Sequence, residues 1–316
     1  MRGKRLLTFA LGAFALCLAA LLRGSVFFVA DYHPVTVDPG PDFESVMARE
    51  EAALPLRAET GKTVVWRYPD HRRTPLSLVQ IHGFSASRRE ISPLGERLAA
   101  AMNANLFMTR LSGHGLGSEG MGGVKAENLL QDAEEAFGVG RRLGDKVVLL
   151  GTSTGAALAL SLAKRHPEGI AAMVFLSPIH RPADPFSLLL KGPVGGWLAR
   201  HVIPDHHWVA RSAREEQFWT TTYPMTAVHE LMNLVSWTNR IPTSGMRIPL
   251  LVFYSEQDKV VSVELIKENF QKYGGPKKLV NLPGADHVLA GEIKGPQFTE
   301  SVLRDIEAFL KQQAVF

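Results

Sequence analysis

Short continuous apolar runs alternate along the 316-residue chain with stretches in which apolar residues recur every three or four positions. Leu76–Ile81, Leu106–Met108, Val147–Leu150, Ala172–Ser177, Leu250–Ser255 and Lys278–Leu282 read as buried strands, and Thr63–Tyr68 alternates like a half-buried edge strand. Helical spacing occupies Phe43–Ala53, Glu90–Met102 (Ile91, Leu94, Leu98, Met102), Asn128–Leu143 and the small-residue run from Ala156 to Ala163. Phe298, Val302, Ile306 and Phe309 space out a closing helix. Strands that alternate with helices predict an α/β fold, with a mostly parallel sheet covered on both faces. No internal repeat interrupts the order.

Three regions stand apart from this alternation. Residues 1–30 begin with a short basic stretch and continue into the uncharged run Leu6–Leu22, which Arg23-Gly24-Ser25 interrupts before Val26 resumes it. That order fits an uncleaved signal anchor or a secretory signal peptide. Phe28 spoils the small-residue pattern of a cleavage site at Phe28-Val29-Ala30, which favours a single-pass membrane anchor with the basic end cytoplasmic and the body outside. The alternative is a secreted or periplasmic protein. Residues 31–60 form a Pro- and Gly-containing connector. The third region, residues 179–248, splits the core (61–178 and 249–316) and shows no clear strand. It carries four of the five tryptophans, Trp197, Trp208, Trp219 and Trp237, with Phe186, Leu188, Leu189, Leu190, Phe218 and Met232. An insertion of this length is expected to be a helical cap, with most of its aromatics turned inward and a minority facing a cleft.

Charge and cysteine content narrow the chemistry. The net charge of +4 comes from Arg2, Lys4, Arg5 and Arg23, so the body is close to neutral and offers no nucleic-acid groove. The single cysteine, Cys17, lies in the leader, which leaves the body without disulfides, cysteine metal ligands or a cysteine nucleophile.

The run Val147–Leu150 stops at Gly151-Thr152-Ser153-Thr154-Gly155, and a small-residue helix pattern follows at once. Such a turn pushes Ser153 out at the carboxyl edge of the sheet, and it demands glycine at 151 and 155, where a Cβ would collide with strand or helix. A serine nucleophile needs a base, and the base needs an orienting group. Asp258 and His287 follow two successive buried strands, so both reach the rim where Ser153 sits. Glu256 and Asp286 are rival acids, and His82, His114 and His229 are rival bases. Phe84 N–H, after His82-Gly83, and Thr154 N–H, at the helix start, are the candidate oxyanion donors. Gly113-His114-Gly115 is placed to shape the mouth of a cleft. Arg88 and Arg89 could meet an anionic headgroup, although such a pair is usually a solvated face.

His82-Gly83-Phe84, Gly113-His114-Gly115, Gly151-Thr152-Ser153-Thr154-Gly155, Asp258 and His287 together resemble the serine α/β-hydrolase fold. Within it they are most similar to the monoacylglycerol lipase, lysophospholipase and bacterial carboxylesterase group. The resemblance covers residues 60–313. It implies Ser153 as nucleophile, His287 as base, Asp258 as orienting acid, oxyanion donors at Phe84 and Thr154, and no cofactor or metal. The implied substrate is a small-molecule ester with an apolar acyl part, met at a membrane if the leader stays on. Thr154 departs from the methionine that often follows the nucleophile in this group. Two other readings remain: a serine peptidase of the proline-iminopeptidase type, for which Glu215 and Glu216 are the only adjacent acids in the insertion, and a binding protein on the same fold.

Overall fold

The computed structural model describes residues 31–316, together with Gly12 and Ala19. The expected anchor or signal segment therefore lies outside the described residues. Among the described residues no helix is long and apolar enough to cross a membrane.

The strands are, in chain order, β1 (Thr63–Val65), β2 (Thr74–Ile81), β3 (Asn105–Met108), β4 (Gly144–Thr152), β5 (Ile170–Leu176), β6 (His206–His207), β7 (Thr222–Tyr223), β8 (Leu250–Tyr254) and β9 (Lys277–Asn281). The helices are α1 (Phe43–Ala52), α2 (Leu94–Ala101), α3 (Gly117–Gly122), α4 (Ala126–Leu143), α5 (Thr154–Arg165), α6 (Gly192–His201), α7 (Ala213–Phe218), α8 (Met225–Thr238), α9 (Val263–Lys272) and α10 (Pro296–Gln312).

Seven strands form one sheet in the order β1-β3-β2-β4-β5-β8-β9, parallel throughout except at the antiparallel edge pair β1–β3. Its apolar strands divide their side chains between two cores because successive residues point to opposite faces. Val147 and Leu149 join α4 and α5 on one face, whereas Val148 and Leu150 join α2 and α10 on the other.

The predicted edge strand is cut short at Val65. Beyond it the Arg67 N–H donates to the Asn105 side chain, and the Trp66 indole donates to Glu44 and stacks on His71. The helix expected from Glu90 begins only at Leu94, after Pro93, because Glu90 turns back toward His82-Gly83. At the far edge, Lys277 of β9 donates to the carbonyls of Phe270, Gln271 and Tyr273, and Lys278 pairs with Asp305.

The connector is bound to the body along its length. Tyr32 meets Trp237 edge-on, Val35 exchanges hydrogen bonds with Gln131, and Glu51 forms a bidentate pair with Arg110. Between β5 and β8 the insertion contains helices, as expected, but also the small antiparallel hairpin β6–β7. Most of its aromatics turn inward: Phe218 and Trp219 are buried in the sheet's own core and Trp208 and Trp237 are half-buried, whereas Phe186 and Trp197 are 74% and 55% exposed beside the aliphatic Val209 at 78%.

Candidate active site

β4 turns into α5 at Ser153, whose φ of 52° and ψ of −110° lie where an L-residue is strained. The two flanking glycines make that turn sterically feasible. A Cβ on Gly151 would lie 2.7 Å from the Ala156 backbone, and one on Gly155 would run into the Ile81 carbonyl. Ser153 is 5% exposed, and its N–H donates to the Leu176 carbonyl at 2.8 Å. The next residue, Ser177, donates its hydroxyl to the His287 carbonyl at 2.8 Å, so the end of β5 ties the serine turn to the histidine loop.

Asp258 and His287 meet: Nδ1 of His287 lies 2.8 Å from Oδ2 of Asp258. The other Asp258 oxygen accepts the N–H groups of Val260 and Val261 at 2.8 and 3.1 Å. Burial alone would raise the Asp258 pKa, but the bonds from His287 and these two amides outweigh it and hold the carboxyl below its usual range. Among the described residues the Ser153 hydroxyl makes no hydrogen bond to a protein group, and the second ring nitrogen of His287, Nε2, is not engaged by another side chain.

The rival acids face elsewhere. Glu256 accepts from the Tyr254 hydroxyl at 3.0 Å and pairs with Lys267, while Asp286 binds the His287 N–H and pairs with Arg211 at 3.0 Å. The rival bases are committed too. His82 accepts from Leu111 N–H at Nε2, so Nδ1 carries the proton and donates to the Gly83 carbonyl. His114 accepts from Ser85 N–H and donates to the Ser112 carbonyl. Burial pushes His82 down to about 3 and His114 down to about 4, so both rings are neutral at physiological pH. His229 spans Leu190 and Asn233 inside the insertion.

Neither the Phe84 nor the Thr154 N–H is donated to another protein group among the described residues. Gly83 brings the first of them close: a Cβ there would stand 3.4 Å from the Ser153 Cβ. Gly83 C=O and Phe84 N–H share one planar peptide and point in opposite directions, so the His82 grip on the carbonyl turns the amide away from the His82 ring. Gly113 and Gly115 both take φ of 79° and hold His114 against the Phe84 loop, which makes this segment a brace rather than an open cleft mouth. Arg89 does not reach out for an anion. It pairs with Glu292 at 2.6 Å and Glu59 at 3.5 Å beneath the Phe218 ring.

Two features were not anticipated from the sequence. The first is Glu90, a carboxylate at 3% exposure whose Oε2 accepts the Gly83 N–H at 2.8 Å. The second is a set of ion pairs by which α7 and its flank hold the His287 loop: Arg211–Asp286, Arg214–Glu292 and Glu215–Lys294. Thr220, just past α7, donates to the Ser85 carbonyl at 2.7 Å, so the same segment also holds the Phe84 loop.

Known structures share the fold. The structures of LipS and LipT, two metagenome-derived lipolytic enzymes, include a chain with a TM-score of 0.67 at 19% identity, over 82% of this chain and 99% of that one. A monoacylglycerol lipase of Paleococcus ferrophilus gives 0.58 at 15%, over 78% and 98%. A soluble variant of the Saccharomyces cerevisiae monoglyceride lipase gives 0.61 at 14%, over 80% and 91%. At these identities the likeness is one of fold. No curated protein matches the chain in sequence. Residues 74–294 match the family described as serine aminopeptidase, S33, a span that contains the Ser153 turn, Asp258 and His287. The chain belongs to that family of α/β-hydrolases.

Proposed function

We propose that the protein cleaves carboxylic esters through an acyl-enzyme, with Ser153 as nucleophile, His287 as base and Asp258 as orienting acid. The observation that carries this reading is the 2.8 Å contact between Asp258 and His287 at the rim that also holds the strained Ser153 turn. Substrate binding draws Ser153 Oγ and the imidazole together, as is common when an unliganded site closes. The hydroxyl attacks the ester carbonyl carbon while its proton passes to Nε2 of His287, and Asp258 stabilises the resulting imidazolium. The carbonyl oxygen, now negative, receives the N–H groups of Phe84 and Thr154. Collapse of the intermediate expels the alcohol with the proton from His287, and water then releases the acid by the same steps. Protein groups alone supply this chemistry.

An apolar acyl part suits the site because the Phe84 ring packs edge-on against Tyr223 and His114 beside the oxyanion donors. The named lipolytic and monoglyceride lipase neighbours favour the same substrate class. Residues 179–248 act as the cap that selects it. The family description points instead to an aminopeptidase, which needs an acid to hold a free amino terminus. Glu215 is buried and already paired with Lys294, which weighs against that reading. The basic-then-apolar order of the leader supports a catalytic body on the non-cytoplasmic side, and an N-terminus found near Asp31 in cell-made protein would identify the leader as a cleaved signal rather than an anchor.

The test is a panel of p-nitrophenyl esters of increasing chain length run beside aminoacyl-anilides. Ester turnover with negligible anilide cleavage is expected, and the reverse overturns the reading. Ser153→Ala should lose on the order of a thousandfold or more in kcat and all labelling by a fluorophosphonate probe. Labelling that survives in this variant puts the nucleophile elsewhere.

A further inference from the structure

We propose that Glu90 is a positioning residue for the oxyanion loop: its carboxylate grips the Gly83 N–H and thereby fixes the Phe84 N–H that receives the oxyanion. The inference rests on the proposed acyl transfer at Ser153 and adds to it a residue that touches neither substrate nor nucleophile.

Three observations converge on it. Glu90 Oε2 accepts the Gly83 N–H at 2.8 Å, seven residues back along the chain. The His82 ring holds the Gly83 carbonyl at 2.8 Å, so the peptides on both sides of Gly83 are clamped and the Phe84 amide has little freedom to swing. The fit around Gly83 is also tight. A Cβ there would come within 2.9 Å of Glu90 Oε1 and 3.4 Å of the Ser153 Cβ, so the carboxylate and the serine turn both lie close against the loop at Gly83.

A carboxylate at this depth needs a reason to be there. Most acids this buried are paired with a cation, and among the described residues Glu90 makes no ion pair. Burial pushes its pKa up to about 7, against the Gly83 amide, the His287 imidazole, the Lys294 ammonium and the Thr152 hydroxyl, all of which favour the anion. These are the polar and charged groups that face it: Thr152 from the end of β4, His287 from the loop after β9, and Lys294 farther along. Ionised or protonated, the carboxyl keeps an oxygen that can accept the Gly83 N–H, so the grip on the loop does not depend on its charge.

Two variants test the proposal, each measured on p-nitrophenyl acetate and by the rate of fluorophosphonate labelling, with circular dichroism as the check on folding. E90A should lower kcat and the labelling rate on the order of 10- to 100-fold while KM changes little, because a displaced oxyanion donor acts on the transition state. E90Q keeps an oxygen for the Gly83 N–H and should recover most of kcat. A purely structural glutamate would lower the thermal midpoint without separating kcat from KM. The proposal is overturned if folded E90A stays within about twofold of wild type, if KM rises as much as kcat falls, or if E90Q is as impaired as E90A. Should E90A not fold, E90D, whose shorter side chain draws the carboxylate back from the Gly83 N–H, takes its place with the same expected loss and the same overturning outcomes. The labelling rate keeps this result separate from the ester reading: a wild type that labels at Ser153 yet cleaves no ester refutes the substrate class and leaves the Glu90 comparison intact.

Discussion

Arg211 of the insertion pairs with Asp286 at 3.0 Å, and Asp286 immediately precedes His287. The acid nearest to the histidine in sequence therefore holds the insertion, while the acid that holds the imidazole arrives from twenty-nine residues upstream. Asp258→Asn should lower kcat by roughly 10⁴-fold, since an amide favours the wrong tautomer of the ring. Asp286→Asn should cost at most a few-fold. Kinetics on one soluble ester compare the two, and equal losses would mean that the acid is misassigned.

The connector leads to a second expectation. Removing residues 1–30 should leave the thermal midpoint and the turnover of a short ester almost unchanged, because the packing that starts at Tyr32 is retained. Glu51→Gln should behave differently. It leaves the Arg110 guanidinium without its partner at a site where both side chains are about nine-tenths buried, at a cost of about 3–5 kcal/mol. Urea denaturation of the two proteins would show the contrast, and an unchanged midpoint in Glu51→Gln would refute it.

Acid stability depends on opposed buried groups. His82 and His114 titrate lower in the folded chain than unfolded, so they withdraw stability as pH falls below about 6.5. Burial raises Asp132 to about 6, so the folded chain takes up that proton first and gains stability as pH falls from 6 towards 4. Asp132→Asn removes the gain. Its unfolding free energy should fall more steeply than that of the wild type over that window, by on the order of 1 kcal/mol per pH unit. Parallel slopes in chemical denaturation at pH 6, 5 and 4 would contradict this.

Glu215 and Lys294 are coupled under two indole rings, with the ammonium 5.3 Å from the Trp208 ring and 5.4 Å from that of Trp219. Replacing either partner alone should destabilise the protein more than replacing both, because each single change strands a buried charge. A double-mutant cycle of Glu215→Gln and Lys294→Met, read by thermal unfolding, should give a coupling above about 1 kcal/mol.

What could be read from the sequence follows the range of the interaction. The Ser153 turn is written into five adjacent residues, so its strand, glycines and helix were all legible. Asp258 and His287 were legible because parallel strands deliver their ends to one rim. Glu90 was not, since a glutamate ahead of Ile91, Leu94 and Leu98 looks like any solvated acid in a first helical turn. Only the return of the chain from Pro93 toward Gly83 buries it. Helix α9 was also missed, although Ser262 caps it with a hydroxyl that accepts the Leu265 N–H. Several of the connector's contacts reach residues about 60 to 205 positions away, and no local pattern records them.

The two borders of the sheet bear on how the protein behaves at high concentration. An open strand border is a template on which a foreign strand can add and from which fibrils can grow. Here one border is a three-residue strand that ends as soon as Asn105 captures the Arg67 amide. The other carries two lysines anchored to their own helices. Neither offers the length or the uncharged surface that a steric zipper requires. Self-association at high concentration should therefore run through side chains on the exposed apolar insertion and stay reversible in mild detergent, rather than proceed to cross-β aggregates.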